Sequence, residues 1–209
     1  MKQALLLVDI QNDFLPGGAL AVAEGDTVVP VANALMPRFD HVVASQDWHP
    51  PRHLSFAAEH AGYEPFQVTQ LDGYDQILWP VHCVQGTPGA GFAAALDVAG
   101  IDHVVRKGTD PRIDSYSAFY DNHHRQATGL TAHLRNAQID HVVVLGLATD
   151  VCVKFTVLDA LAEGFGVTLV RDGVRGVDMQ PGDCEAAIEA MQAAGAAIVD
   201  SASLSRAGE

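Results

Sequence analysis

Short apolar runs rich in β-branched residues recur along the whole chain, and they do not alternate with polar residues. They cover residues 4–8, 41–45, 103–106, 141–145, 167–170 and 196–199. Runs of this kind are strands covered on both faces. Helical stripes fall between them. Val28, Val31, Ala32 and Leu35 repeat behind Asp26, a candidate N-cap, and Val153, Thr156, Val157, Ala160 and Leu161 repeat ahead of Gly164, a candidate C-terminal glycine. Ala187, Ile188, Met191 and Ala194 form a stripe between Asp183 and Gly195, and Leu130, Leu134 and Ala137 form a weaker one. Strands alternating with helices predict an α/β fold, a mostly parallel sheet with helices on both faces.

No linker interrupts this punctuation, so residues 1–209 are expected to form a single domain. At 48% hydrophobic the chain can bury a core without staples. Twelve basic residues against 26 acidic ones leave a charge of −14, which repels nucleic acid and anionic membranes. The longest uncharged apolar stretch, residues 142–148, is too short to span a bilayer. Three widely spaced cysteines and no signal-like start point to a reducing, cytoplasmic setting.

Residues 50–80 and 107–128 carry no sustained periodicity and read as long loops, the usual place for binding walls and lids. Ligands of open parallel sheets bind beyond the carboxyl ends of the strands. Here those ends are followed by Asp9, by Asp47-Trp48-His49, by Lys107 and by Gly146 to Cys152. Together they supply a carboxylate, a metal-ligand pair, an amine and a thiol to one sheet edge.

Cys152 stands where a strand turns into a helix. The helix N-terminus is expected to lower its pKa and to offer N–H groups to an oxyanion. The bland reading, a small buried hydrophobe, applies equally to Cys83 and Cys184, which lack such companions. Asp9 is the candidate proton carrier, and Lys107 the charge that favours a thiolate. Asp47 and His49 need a third metal ligand. His82 is the first choice and His53 the alternative, while His41, His103 and His141 sit at strand starts, the wrong end. Phe14, Trp79 and Tyr116 could wall a flat pocket.

Six segments carry a resemblance. They are residues 8–14 (VDIQNDF), 46–50 (QDWHP), 79–90 (WPVHCVQGTPGA), 107–108 (KG), 114–119 (DSYSAF) and 146–153 (GLATDVCV). In this order the sequence resembles the nicotinamidases and pyrazinamidases of the isochorismatase-like cysteine hydrolases. The resemblance implies a six-stranded parallel sheet and a Cys152–Asp9–Lys107 triad. It implies an oxyanion hole from the N–H groups of Ala148 and Cys152, with a cis peptide between Leu147 and Ala148. It implies one divalent metal ion, zinc or else iron or manganese, on Asp47, His49 and His82, with His53 or Ser55 as further contributors. The implied substrate is nicotinamide, its ring nitrogen toward the metal, with pyrazinamide also hydrolysed and a place in NAD salvage; a homo-oligomer is compatible. Some relatives carry His before the nucleophile, where this chain has Val151. Two other readings stand beside this one: another small amide or carbamoyl compound on the same triad, and a metal-binding redox sensor.

Overall fold

A computed structural model describes residues 2–204. Its main sheet has six strands, all parallel: β1 (Gln3–Val8), β2 (Val42–Asp47), β5 (His103–Lys107), β6 (His141–Leu147), β7 (Gly166–Arg175) and β8 (Ala197–Val199). Their order is β5-β2-β1-β6-β7-β8. The chain therefore works outward from β1 to β5, returns to lay β6 beside β1, and works outward again to β8. That reversal between β1 and β6 is a topological switch point, where a crevice opens at the strand ends.

The period of two in a strand divides the core. β1 sends Ala4, Leu6 and Val8 to one face and Leu5 and Leu7 to the other. The first face is covered by α2 (Leu130–Asn136), α3 (Lys154–Ala162) and α4 (Asp183–Ala193), through Leu134, Val157 and Met191 among others. The second is covered by α1 (Val28–Leu35), through Val28, Ala32 and Leu35, and by Trp79, Cys83 and Leu96 of the irregular segments. Each fully buried leucine contributes about 1.5–3 kcal/mol, so a strand buried on both faces anchors the domain.

Some local expectations give way. Asp26 does not cap α1: it lies in a tight turn (Gly25–Thr27), and Thr27 at the cap position is already helical, with no side-chain bond to the helix. β7 runs well beyond residues 167–170, with a register shift against β6 between Val144 and Gly146. The supposed loop 50–80 contains an antiparallel hairpin, β3 (Val68–Leu71) and β4 (Tyr74–Ile77). Its turn residues, Asp72 and Gly73, both have positive φ (52° and 82°), the conformation a two-residue hairpin loop demands. The Asp-Gly pair was the readable signal. The flanking strands are only four residues each and mostly exposed or half-buried, and their apolar residues do not alternate.

Gly146 has φ 127°, and a Cβ there would run into the backbone of Val8. Only glycine lets β6 approach β1 this closely at the switch point.

Candidate active site

Asp9 leaves β1 in the left-handed conformation, φ 48°, which costs a non-glycine residue about 1 kcal/mol or more and persists where surroundings enforce it. Those surroundings are specific. Ser45 on β2 donates to Asp9 Oδ1 at 2.6 Å, and the Asp9 N–H lies 3.2 Å from the same hydroxyl. The other carboxylate oxygen, Oδ2, lies 2.9 Å from Lys107 Nζ. Lys107 in turn donates to the Ser115 carbonyl at 2.8 Å and to Asp47 Oδ1 at 3.2 Å, and it lies 3.5 Å from Cys152 Sγ. Asp9, Ser45, Asp47, Lys107 and Cys152 are all buried. Strand ends β1, β2 and β5 and the π-helical turn Thr149–Val153 after β6 thus converge on one ammonium group.

Burial dominates the electrostatics. It raises Asp9 above the ordinary carboxylate range, with Lys107 pulling the other way and Asp47 reinforcing the rise. Burial also opposes charge on Asp47, but His49 and Lys107 outweigh it and hold that carboxyl well below its usual range. Lys107, despite its own burial, is held well above the ordinary amine by Asp47, Asp9 and Cys152. The Cys152 thiol is pushed well up by burial; Lys107 opposes this, while Asp9 and Asp47 add to it. The expected lowering by a helix N-terminus is therefore overturned. Desolvation of a buried thiolate, with two carboxylates nearby, exceeds a partial charge that spans one turn. The resting site is a neutral thiol beside a fixed cation and a carboxyl group whose pKa is raised.

Beside this group, Asp47 Oδ2 lies 2.9 Å from His49 Nε2 and 3.3 Å from His82 Nε2. His49 Nδ1 faces the Gly108 carbonyl at 3.0 Å, and His82 Nδ1 faces the Pro80 carbonyl at 2.7 Å. With Nδ1 of each ring facing a carbonyl, Nε2 is in both cases the nitrogen turned toward Asp47 and the one a metal would take. His49 Nε2 is buried and lacks a hydrogen bond. Two oriented imidazoles and a carboxylate around one point are a donor set for a divalent metal. A Cβ on Gly108, φ 64°, would stand 2.5 Å from the His49 ring, so glycine makes room for this ligand.

His53 and Ser55 hold each other: His53 Nδ1 and Ser55 Oγ are 2.7 Å apart. His53 Nε2 is buried without a partner and groups with His49 and Asp114 as a second set of ligand atoms. Asp114 Oδ1 lies 3.9 Å from His49 Nε2.

A cavity opens onto both groups, lined by Phe14, Trp79 and Tyr116 as well as Asp47, His82 and Cys152. The Trp79 and Tyr116 rings meet edge to face at 6.1 Å. Ala148 lines the cavity beside Cys152, and the Leu147–Ala148 peptide is cis. Val151 and Val177 give one side a hydrocarbon wall.

Sequence reasoning missed Ser45, Gln11, Asp114 and Gln76. Gln11 bonds both the N–H (2.8 Å) and the carbonyl (2.8 Å) of Asp47, locking the end of β2 to β1. Gln76, on the unforeseen hairpin, reaches Asp114 and the Tyr116 hydroxyl, each at 3.3 Å. For Ser45 the signal was a hydroxyl within an apolar strand. Cys83 and Cys184 stay free, and Cys184, pushed up to about 12 chiefly by burial, packs against Gly176 and Asp150 away from the cavity.

Sheet order, switch-point crevice and a buried thiol–carboxylate–amine group define an isochorismatase-like α/β architecture, and the chain belongs to the isochorismatase domain family, whose model matches residues 3–203. Within that family it is similar to nicotinamidases. It is 54% identical to the nicotinamidase of Escherichia coli (strain K12) over 200 residues, 94% of this chain and 93% of that protein. A nicotinamidase–pyrazinamidase structure from Acinetobacter baumanii superposes with TM-score 0.93 at 46% identity, covering 96% of this chain and 97% of that one. The pyrazinamidase of Pyrococcus horikoshii in complex with zinc gives 0.78 at 38% identity, covering 96% and 99%.

Proposed function

We propose that this chain hydrolyses nicotinamide, and by extension pyrazinamide, to the carboxylate and ammonia. The observation that carries the reading is Lys107 Nζ standing 2.9 Å from Asp9 and 3.5 Å from Cys152, beside an aromatic-walled cavity that also holds Asp47 and His82. The nicotinamidase relatives supply the substrate class.

In this reading the ring sits among Phe14, Trp79 and Tyr116. Asp9 takes the thiol proton as Cys152 Sγ attacks the carboxamide carbon. Negative charge moves from oxygen to sulfur, and Lys107 touches both, so the transfer changes its contacts little. The N–H groups of Ala148 and Cys152 receive the oxyanion. Asp9 returns the proton to the departing nitrogen, releasing ammonia, and then deprotonates the water that cleaves the thioester. Asp47, His49 and His82 would hold the divalent ion, for which zinc is our choice, with His53 nearby. When bound, that ion would supply a Lewis-acidic charge at this end of the cavity.

Residues 1–209 act as one domain in this scheme. Three free cysteines suit a cytoplasmic enzyme, and among the described residues no helix is long and apolar enough to cross a membrane. The test is ammonia release from nicotinamide by purified protein, with Cys152→Ala and a chelator-treated sample in parallel. Turnover is expected to fall to background in the variant and to drop on chelation. A Cys152→Ala protein that kept its turnover would end this mechanism.

A further inference from the structure

Asp150 stands two residues before the nucleophile and has no part in the chemistry above, yet both of its carboxylate oxygens are engaged. The Val177 N–H donates to Oδ1 at 2.9 Å, and the Asp178 N–H donates to Oδ2 at 2.8 Å. The elements joined in this way are the π-helical turn Thr149–Val153, which carries Cys152, and the segment 176–182 that follows β7. Asp178 has φ 51°, a left-handed residue of the kind that turns successive N–H groups toward one anion. The two elements approach closely: a Cβ on Gly176 would stand 2.7 Å from Asp150 Oδ1 and would run into Cys184 Sγ. Inside the turn, the Val151 and Val153 N–H groups donate to the Ala148 carbonyl at 3.1 and 3.0 Å, and no side chain caps it.

We propose that Asp150 is a positioning residue for amide hydrolysis, an inference that rests on the reading of Cys152 as the nucleophile. Its carboxylate fixes the nucleophile turn against segment 176–182 and so sets the cavity wall beside the thiol. Asp150 does not itself line the cavity, but Val151, Cys152 and Val177 do. The clamp therefore ties one lining residue, Val177, to the turn that supplies the other two. The same turn carries the Cys152 N–H assigned to the oxyanion, and it hangs from the carbonyl of Ala148, which supplies the second such N–H. A charged acceptor makes the stronger kind of hydrogen bond, and a pair of them on consecutive amides fixes direction as well as distance. A π-helical turn is a rare local form that recurs at functional sites. Attack on a carboxamide tolerates little error, since a misplacement near 1 Å costs about a hundred-fold in rate. Phe14, Trp79 and Tyr116 wall the cavity from other segments, so loss of the clamp should disturb attack more than binding.

The test compares Asp150→Ala, which removes both acceptors, with Asp150→Asn, which keeps one, in nicotinamide kinetics run well below the melting temperature of each protein. Asp150→Ala is expected to lower kcat about thirty-fold while KM rises about three-fold or less, and Asp150→Asn to recover part of the loss. Asp183→Ala is the control. It removes the acceptor of the Gln180 N–H, 2.9 Å away, further along the same segment and leaves the clamp alone. Its kcat should stay within about two-fold of wild type. Alkylation of Cys152 by iodoacetamide, followed by peptide mass spectrometry, does not depend on turnover. Its rate should rise about three-fold or more in Asp150→Ala as the wall opens. A kcat within about two-fold of wild type in both Asp150 variants, or equal losses in Asp150→Ala and Asp183→Ala, would make Asp150 a brace for stability only and overturn the proposal. If Asp150→Ala does not fold, Asp150→Asn decides by the same criteria. A wild type that releases no ammonia ends the amidase reading instead; the clamp is then judged on alkylation alone, and an unchanged rate overturns it.

Discussion

Ser45 Oγ donates a 2.6 Å hydrogen bond to Asp9 Oδ1, so one carboxylate oxygen is engaged by β2 and only Oδ2 is left for Lys107 and the thiol. The hydroxyl both aims the carboxylate and draws its pKa down against the effect of burial.

Removing that bond with Ser45→Ala should let the Asp9 pKa rise further. The acid limb of the kcat/KM profile for nicotinamide then moves to higher pH, and activity at neutral pH falls about ten-fold, on the order of 1.4 kcal/mol. A pH–rate profile with an unmoved limb would show that Ser45 merely fills space.

Asp9 itself is predicted to cost stability. Its folded pKa is raised, so the native state binds the proton more tightly than the unfolded chain does. Above both pKa values the ionised carboxylate disfavours folding, and this penalty fades as pH falls through the folded pKa. Asp9→Asn should therefore abolish turnover yet raise the urea midpoint at neutral pH, and the gain should shrink toward pH 4. A lower midpoint at neutral pH would contradict the sign.

Lys107 has the opposite sign. Its folded pKa is raised, so its contribution is fully present below the unfolded amine pKa and is lost only as pH climbs through the folded value. Lys107→Met leaves Asp9 and Asp47 buried without their cation, and should destabilise by about 3–5 kcal/mol. Adding Asp9→Asn should recover part of that loss. Denaturant curves of the single and double variants measure the coupling, and strict additivity would mean the ion pair carries none of it.

Gly108→Ala probes the metal ligands without touching one. The methyl group would crowd the His49 ring, and the position has φ 64°. Metal content after dialysis should fall about ten-fold or more, as when other supports of a ligating histidine are lost. Unchanged metal content would show that the loop yields and His49 keeps its place.

The residues that follow the strands were legible because strand pattern is local. Apolar runs fix where β1, β2, β5 and β6 end, and the switch-point rule then brings Asp9, Asp47, Lys107 and Cys152 to one edge. The Asp72-Gly73 turn is equally local, but its strands are only four residues each and carry no apolar alternation to mark them. Ser45, Gln11 and Gln76 were illegible for another reason. A hydroxyl or amide gains its role from a partner 36 to 40 residues away.

The sequence by itself determined the layering, a mostly parallel sheet between helices, and which chemical groups stand at the strand ends, because periodicity and strand boundaries are properties of neighbouring residues. Only the tertiary structure decided their protonation. The thiol of Cys152, read locally, belonged to a helix start and should have ionised easily; packed among Asp9, Asp47 and Lys107 it is held as a thiol. Burial and charge act through space, and their sum over four distant segments exists only once the sheet has closed them around one point.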